Sequence, residues 1–173
     1  DEWEQVCGQG TNCALASARQ YAALAVDKEN EAAIVFGGQG VGSDRFIAIK
    51  SEDDFTDRCE SQACTDSLPP NRYKHQLIYD EDRKELLLFG GRLEATDALT
   101  NELWRFDGNT WAELCQGDSV CSVDTNGDGV EDQGASGPSA REQAAMFYEP
   151  VTQLAWVYGG EADGGVYSDE LWS

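Results

Sequence analysis

The sequence predicts an all-β protein built from three copies of one unit of roughly 50 residues, and two recurring patterns indicate this. In each copy a glycine pair begins 18 residues after an arginine, and an aromatic residue precedes the pair. These positions are Arg19 with Gly37-Gly38, Arg72 with Gly90-Gly91, and Arg141 with Gly159-Gly160. In the second pattern an aromatic residue stands four residues before a cysteine, at Trp3/Cys7, Phe55/Cys59 and Trp111/Cys115. The short apolar runs between these landmarks are bounded by turn residues, which is typical of antiparallel strands.

The second copy shows the predicted elements most clearly. A first strand is expected over about Arg72–Asp80, and the apolar run Glu85–Phe89 is a second strand, too short for a buried helix. A third strand covers about Asn101–Phe106, and the turn Asp107-Gly108 leads to a fourth over about Thr110–Leu114. Each copy is therefore predicted to form a four-stranded antiparallel sheet.

The first and third copies follow the same plan, with one circular offset. In the first copy the predicted strands are Tyr21–Val26, Ala32–Phe36, Arg45–Ile49 and Asp54–Arg58. In the third copy they are Gln143–Tyr148, Leu154–Tyr158 and Val166–Trp172, and the fourth strand is missing. The N-terminal segment at about 2–6 matches the fourth strand of the second copy. The first strand is thus expected to complete the last sheet, which is how β-propellers close their ring.

The chain resembles kelch repeats, the blades of kelch-type β-propellers. The resemblance depends on the Gly pair after an apolar strand, on Asn101-Glu102-Leu103-Trp104 followed by Trp111, and on Asp169-Glu170-Leu171-Trp172 in the third copy. The first copy departs from it, with Arg45-Phe46-Ile47-Ala48-Ile49 and with Phe55 in place of the tryptophan. The resemblance implies one propeller segment over 1–173. Its parts are blade one at about 15–58, blade two at about 72–114, an insert at about 122–138, and blade three at about 141–173, completed by the strand at about 2–6.

Three blades do not close a ring, because propellers commonly have four to eight. Bare blade faces and unpaired strand edges would promote association. Two copies could form a six-bladed ring with two-fold symmetry, or further blades could come from a longer polypeptide. Both interpretations stay open at the level of the sequence.

The charge distribution excludes some partner classes. Thirty-three acidic residues stand against twelve basic ones, and the net charge is −21. Nucleic acid and anionic membrane surfaces require clustered Lys and Arg, and the sequence contains no such cluster. No apolar stretch approaches the ~20 residues needed to cross a bilayer, so membrane insertion is not expected either. Divalent cations and basic partners remain compatible with this charge.

The six cysteines fall into three local pairs, and each pair follows the aromatic residue of the second pattern. The pairs are Cys7/Cys13, Cys59/Cys64 and Cys115/Cys121. Zinc ligation is not expected, because no C-x-x-C spacing occurs and the chain has one histidine. We therefore expect three disulfides and an oxidising location, either extracellular, at the cell surface, or periplasmic.

The insert carries the sharpest local motif, over 124–132. Oxygen-bearing side chains stand at loop positions 1, 3, 5 and 9, a glycine at 6 and a backbone carbonyl at 7, as in calcium loops of the EF-hand, dockerin and thrombospondin types. The predicted Ca²⁺ ligands are Asp124, Asn126, Asp128, the Val130 carbonyl and Asp132. Ala135 replaces the bidentate Glu of position 12, so a further ligand would come from elsewhere. Ordering of the insert is the expected role of the ion.

The loops after the second and fourth strands should emerge on one face of the molecule. The loops 39–44, 92–100 and 161–165 would therefore share that face with the cysteine loops, and binding loops on a rigid scaffold normally lie in such places. No catalytic constellation accompanies them: His75 lacks a nucleophile signature, and no spacing selects an acid pair for glycoside hydrolysis. We expect a non-catalytic extracellular module that binds protein or glycan, with 92–101 as a contact. The alternatives are a domain of a secreted carbohydrate-active enzyme and an architectural unit of a surface filament.

Overall fold

The computed structural model describes residues 18–40, 46–51, 54–57, 68–116, 120–123, 132–135 and 137–173. Every regular element in these ranges is a β-strand, and all strand pairs are antiparallel. The prediction of an all-β fold is confirmed. Within the described ranges, no helix is long and apolar enough to cross a membrane.

The first repeat forms a four-stranded sheet with a short two-stranded ladder beside it. Its strands are β1 (Arg19–Gln20), β2 (Ala23–Asp27), β3 (Ala32–Phe36), β4 (Gln39–Gly40), β5 (Phe46–Ser51) and β6 (Asp54–Asp57). The sheet order is β2-β3-β5-β6, and β1 pairs with β4. The turn between β2 and β3 is closed by Asp27, whose carboxylate accepts a hydrogen bond from the Asn30 backbone amide at 3.0 Å.

The second repeat has the same plan and a longer sheet. Its strands are β7 (Arg72–Tyr73), β8 (Gln76–Asp80), β9 (Glu85–Phe89), β10 (Arg92–Leu93), β11 (Leu103–Phe106), β12 (Trp111–Gln116), β13 (Val120–Val123) and β14 (Asp132–Ala135). The sheet order is β8-β9-β11-β12-β13-β14, and β7 pairs with β10. Strand β9 is buried along its whole length, because a neighbouring repeat covers each face of its sheet. Its continuous apolar pattern follows from that position.

The third repeat forms a three-stranded sheet. Its strands are β15 (Ala145–Glu149), β16 (Leu154–Tyr158), β17 (Glu161–Ala162), β18 (Val166–Tyr167) and β19 (Leu171–Trp172). The sheet order is β15-β16-β19, and β17 pairs with β18. The segment at about 2–6, which is predicted to complete this sheet, lies outside the described residues.

The hydrophobic core lies between successive repeats rather than within any one sheet. The larger cluster joins the first and second repeats and includes Ile34, Phe36, Leu88, Trp104 and Trp111. The smaller cluster joins the second and third repeats through Phe89, Ala144 and Val157. The second repeat is therefore covered on both faces by its neighbours.

Two predicted strands are each split in the structure. The strand predicted over Arg72–Asp80 is broken at Lys74, whose φ is 56°. The residues two positions after the other arginines, Tyr21 and Gln143, have φ of 58° and 57°. This break also explains why β2 and β15 begin two residues later than predicted. The segment Val166–Trp172 is divided because β18 pairs with β17, whereas β19 pairs with β16.

Candidate functional site

The recurring arginine of the second repeat is a buried structural hub. Its guanidinium donates from Nη1 to the Gly90 carbonyl at 3.2 Å and from Nε to the Pro70 carbonyl at 3.1 Å. Arg72 Nη2 also donates to the Glu102 carboxylate, which accepts a second bond from Trp104 Nε1 at 2.9 Å. Burial, outweighing the carboxylate, lowers the pKa of Arg72. The Arg, Gly-Gly and Glu-Leu-Trp elements of the repeat signature therefore form one hydrogen-bonded unit.

The third repeat builds the same unit, and the first repeat builds part of it. Arg141 Nη1 donates to the Gly159 carbonyl at 2.9 Å, and its Nη2 donates to Glu170 at 2.5 Å. Trp172 Nε1 donates to that same carboxylate at 3.1 Å. In the first repeat Arg19 Nη1 donates to the Gly37 carbonyl at 3.0 Å. The first repeat has no Glu-Leu-Trp element, which agrees with its departure from the sequence pattern.

Backbone hydrogen bonds join each repeat to the next through the same arginines. The amide of Gly38 donates to the carbonyl of Arg72, and the amide of Gly91 donates to the carbonyl of Arg141, both at 2.9 Å. A second set of backbone hydrogen bonds joins the residues with positive φ. The Lys74 amide donates to the Tyr21 carbonyl, and the Gln143 amide donates to the Lys74 carbonyl. The arginine thus holds its own repeat with its side chain and the preceding repeat with its backbone.

In the first and second repeats, the first glycine of the pair is required by this contact. A Cβ at Gly37 would lie 2.3 Å from the Arg72 carbonyl oxygen, and a Cβ at Gly90 would lie 2.7 Å from the Arg141 carbonyl oxygen. Both glycines also have φ of 60–65°, a conformation that residues with a side chain rarely adopt.

The exposed segment 94–98 is held in one conformation on the face predicted to bind. The Leu93 amide donates to the Ala98 carbonyl, and the Asp97 amide donates to the Leu93 carbonyl, both at 2.8 Å. Asp97 has φ of 57°, and the Glu94 amide donates to the Asn71 carbonyl at 2.8 Å. This loop is solvent-exposed, yet its backbone is fixed at both ends.

A cluster of charged side chains anchors the loop to the third repeat. Arg92 donates from Nη1 to the Asp97 carbonyl at 2.6 Å and from Nε to Glu142 at 2.9 Å. Lys74 Nζ donates to the other oxygen of Glu142 at 2.7 Å. Burial alone would raise the pKa of Glu142, but the bonds from Lys74 and Arg92 outweigh it and hold the pKa below its usual value. The pKa of Tyr73 is raised to about 12. The main cause is its hydrogen bond to the Asp97 carboxylate, and burial is the second cause.

The sequence pattern predicts the loop itself but not this anchoring cluster. Arg92 and Glu142 are 50 residues apart and belong to different repeats. Neither residue has the same charge as the residues at the equivalent positions of the other two repeats. Their contact follows from the packing of one sheet against the next.

His75 lies between the first and second repeats and is buried. Its ring meets Phe36 edge-on, with centroids 5.5 Å apart. Burial, and secondarily the positive Arg72, lower the pKa of His75 to about 3. The imidazole is therefore neutral at physiological pH and packed in the core.

Four of the five predicted calcium ligands, Asp124, Asn126, Asp128 and Val130, lie outside the described residues. Asp132 is the first residue of β14 and pairs with Val123 at the end of β13. The two strands thus bring the ends of the predicted loop side by side. In the part of the chain that the structure describes, no group of three or more His, Cys, Asp or Glu residues could hold a metal ion.

The predicted disulfides fall mostly outside the described ranges, where Cys7, Cys13, Cys59 and Cys64 lie. Cys115 is disulfide-bonded, and the register of β12 and β13 places Cys121 directly opposite it. This register is compatible with the predicted local pair, and all three pairs stay predictions.

Comparison with known proteins gives one sequence similarity and one fold similarity. No protein-family model matches the chain. The dynein regulatory complex subunit 7 of Chlamydomonas reinhardtii is 31% identical over 111 residues, which are 63% of this chain and 8% of that protein. The solved structure of YjhT aligns with a TM-score of 0.51 and 9% identity, over 90% of this chain and 42% of that chain. The chain thus spans less than half of either protein, and the structural likeness concerns the fold alone.

Proposed function

We propose that this chain is a non-catalytic interaction module that binds a protein or glycan through the face carrying segment 94–98. The observation that carries the proposal is the combination of exposure and fixed conformation in this loop. A loop that is already ordered loses little conformational entropy when a partner binds, so its contacts contribute more fully to affinity. Loops on rigid scaffolds are also where binding residues concentrate.

The chemistry of the described residues supports binding over catalysis. The single histidine is buried and neutral, and the recurring arginines donate to carbonyls and carboxylates of the scaffold. The cations near the loop, Lys74 and Arg92, are held by Glu142. These groups build a surface of fixed shape rather than an activated nucleophile or base.

We further propose that the repeats are kelch-like propeller blades in an extracellular protein, with the segment at about 2–6 completing the third sheet. The repeated sheet order and the arginine carbonyl contacts between repeats support this interpretation. Local disulfides at the three cysteine pairs would stabilise the cysteine loops, each by about 2 kcal/mol. Peptide mapping without reduction tests them: three local bridges are expected, and free thiols would contradict the extracellular assignment.

Calcium is proposed as the ion that orders the insert through Asp124, Asn126, Asp128, Val130 and Asp132. Titration calorimetry of the wild type and of Asp128→Ala tests this assignment. Heat of binding is expected in the wild type alone, because the variant lacks one of the loop's oxygen donors. Equal heats in both proteins would refute it.

The binding face is tested with two double variants that remove the same chemical groups from opposite ends of the sheets. Glu94→Ala with Thr96→Ala changes the loop, whereas Glu81→Ala with Thr152→Ala changes turns at the far end of the strands. The probes are a glycan array and a panel of secreted protein domains. Ligands that bind the wild type should lose at least about 10-fold in affinity with the loop variant and retain it with the control. Unchanged binding by the loop variant, or no ligand for the wild type, would overturn the proposal.

A further inference from the structure

The outer face of the third repeat resembles the surfaces through which the first and second repeats contact the repeat that follows them. Phe36 and Phe89 end their strands at 0% and 4% exposure, whereas the equivalent Tyr158 is 52% exposed. Tyr158 borders a groove of about 440 Å³ that is also lined by Gln143, Gly159 and Gly160. In the other repeats the corresponding positions are covered by the repeat that follows.

The polar groups of this groove match those at the two interfaces inside the chain. The amides of Gly38 and Gly91 donate to an arginine carbonyl of the next repeat, and among the described residues no carbonyl accepts from the amide of Gly160. A Cβ at Gly159 would meet its nearest atom, the Ser168 carbonyl oxygen, at 3.4 Å, compared with the 2.3 Å found at Gly37. The groove therefore has room for one more backbone carbonyl, and the Gly160 amide is the donor for it.

The first repeat carries the complementary face. Leu24 and Leu77 occupy the same position in their strands, opposite Val35 and Leu88. Leu77 is 6% exposed because the first repeat covers it, and Leu24 is 60% exposed. The side of the first repeat that faces away from the second is therefore apolar and uncovered at this position.

We propose that the groove of the third repeat binds the first repeat of a second copy of this chain. The Gly160 amide would donate to the Arg19 carbonyl of the second copy, and the Tyr21 amide of that copy would donate to the Gln143 carbonyl. Leu24 of the second copy would cover Tyr158. Two such contacts related by a two-fold axis join six repeats into a closed particle. This interface is separate from the loop proposed to bind a ligand.

Equivalence with the contacts inside the chain favours a second copy as the occupant, because its first repeat presents the positions that the second and third repeats present to the repeat before them. Between the second and third repeats, Lys74 pairs with Glu142 at 2.7 Å. At the proposed interface the equivalent residues are Gln143 and Gln20, two amides that can hydrogen-bond to each other. A second ion pair, Lys84 with Glu29, joins the first and second repeats. At the proposed interface Glu31 takes the place of Lys84, and Val151 takes the place of Glu29. Neither position brings like charges together, although the chain has a net charge of −21.

Light scattering across a concentration series tests the proposal with two matched variants. Gly159→Ala places a methyl group where the carbonyl of the second copy would sit. Gly164→Ala imposes similar backbone strain, since Gly164 has φ of 80°, but its Cβ would meet no atom within 4 Å. The wild type and Gly164→Ala should dimerise, and Gly159→Ala should raise the dimer dissociation constant at least about 10-fold relative to Gly164→Ala. A monomeric wild type, or a dimer unaffected by Gly159→Ala, would overturn the proposal.

Mixing two defective variants separates this arrangement from dimerisation through another surface. Gly159→Ala damages the third-repeat face, and Leu24→Asp damages the first-repeat face. A mixed dimer regains one intact interface, so it should form at concentrations where neither variant dimerises alone. Circular dichroism confirms that both variants are folded. Failure of the folded variants to complement each other would contradict the proposed pairing.

Discussion

At the scale of single residues, Arg72 and Arg141 each combine two functions that the sequence pattern does not separate. The side chain of each neutralises a carboxylate and binds carbonyls of its own repeat, while its backbone carbonyl accepts a hydrogen bond from a glycine of the preceding repeat. Lysine could not replace it, because a single ammonium lacks the planar fork that reaches several acceptors. The identical spacing of the arginine and the glycine pair follows from this direct contact.

The two arginines differ in how deeply their carboxylate partners are buried, which leads to a prediction. The Glu102 side chain is 17% exposed and that of Glu170 is 50% exposed. Arg72→Met leaves a largely buried carboxylate without its partner and should lower the free energy of unfolding by about 3 kcal/mol or more. Arg141→Met should have a smaller effect, because water can solvate Glu170. Denaturant unfolding measures both, and equal losses or the reverse order would contradict the explanation.

The burial of His75 predicts an unusual titration. The pKa is lowered to about 3 in the folded protein, against roughly 6.5 in an unfolded chain. Between these values the unfolded state binds a proton that the folded state does not. Stability is therefore lost as pH falls from about 6.5 towards 3, at up to about 1.4 kcal/mol per pH unit from this residue.

Nuclear magnetic resonance tests this directly, since the chain has one histidine. The imidazole signals of the folded protein should not shift between pH 8 and pH 5. A midpoint near 6.5 would show that the ring is solvated. As a control, His75→Gln should reduce the slope of unfolding free energy against pH in the acid range.

At the scale of elements, the second strand of each repeat was predictable from the sequence and the first strand was not. Strands β3, β9 and β16 have the predicted bounds, because an apolar run between a turn and a glycine pair defines both ends. The first strands begin after a left-handed residue that is Tyr21, Lys74 or Gln143. None of these residue types favours that conformation, and each of the three residues is hydrogen-bonded through its backbone to a neighbouring repeat. The hairpin of β13 and β14 was also not predicted, because the insert was interpreted only as a calcium loop.

The glycine pair provides a prediction at this scale. Gly90 and Gly164 both have positive φ, and only Gly90 faces a carbonyl of another repeat. Gly164→Ala should therefore cost only the backbone strain, about 1–2 kcal/mol. Gly90→Ala should cost a further 1–3 kcal/mol or so, from the overpacked interface. Thermal unfolding of the two variants measures the difference, and equal losses would show that the contact with Arg141 is not tight.

At the scale of the whole molecule, the repeats are held to each other by burial and by backbone contacts that recur along the chain. The sequence predicted three registered units, because their landmarks are local. It did not predict the ion pairs that join them, such as Arg92 with Glu142, because these differ from one interface to the next. The same distinction applies to the candidate site. The loop is predictable because it is the longest segment after a glycine pair, whereas its anchoring depends on contacts with the third repeat.

The backbone carbonyls of Arg72 and Arg141 each accept a hydrogen bond from the glycine pair of the preceding repeat, and these bonds join the repeats. Amide hydrogen exchange, measured residue by residue, reports on these bonds. The amides of Gly38 and Gly91 should be strongly protected, and that of Gly160 should exchange quickly in the dilute monomer and gain protection as the concentration rises. Rapid exchange at Gly38 and Gly91 in the folded protein would show that these hydrogen bonds do not join the repeats.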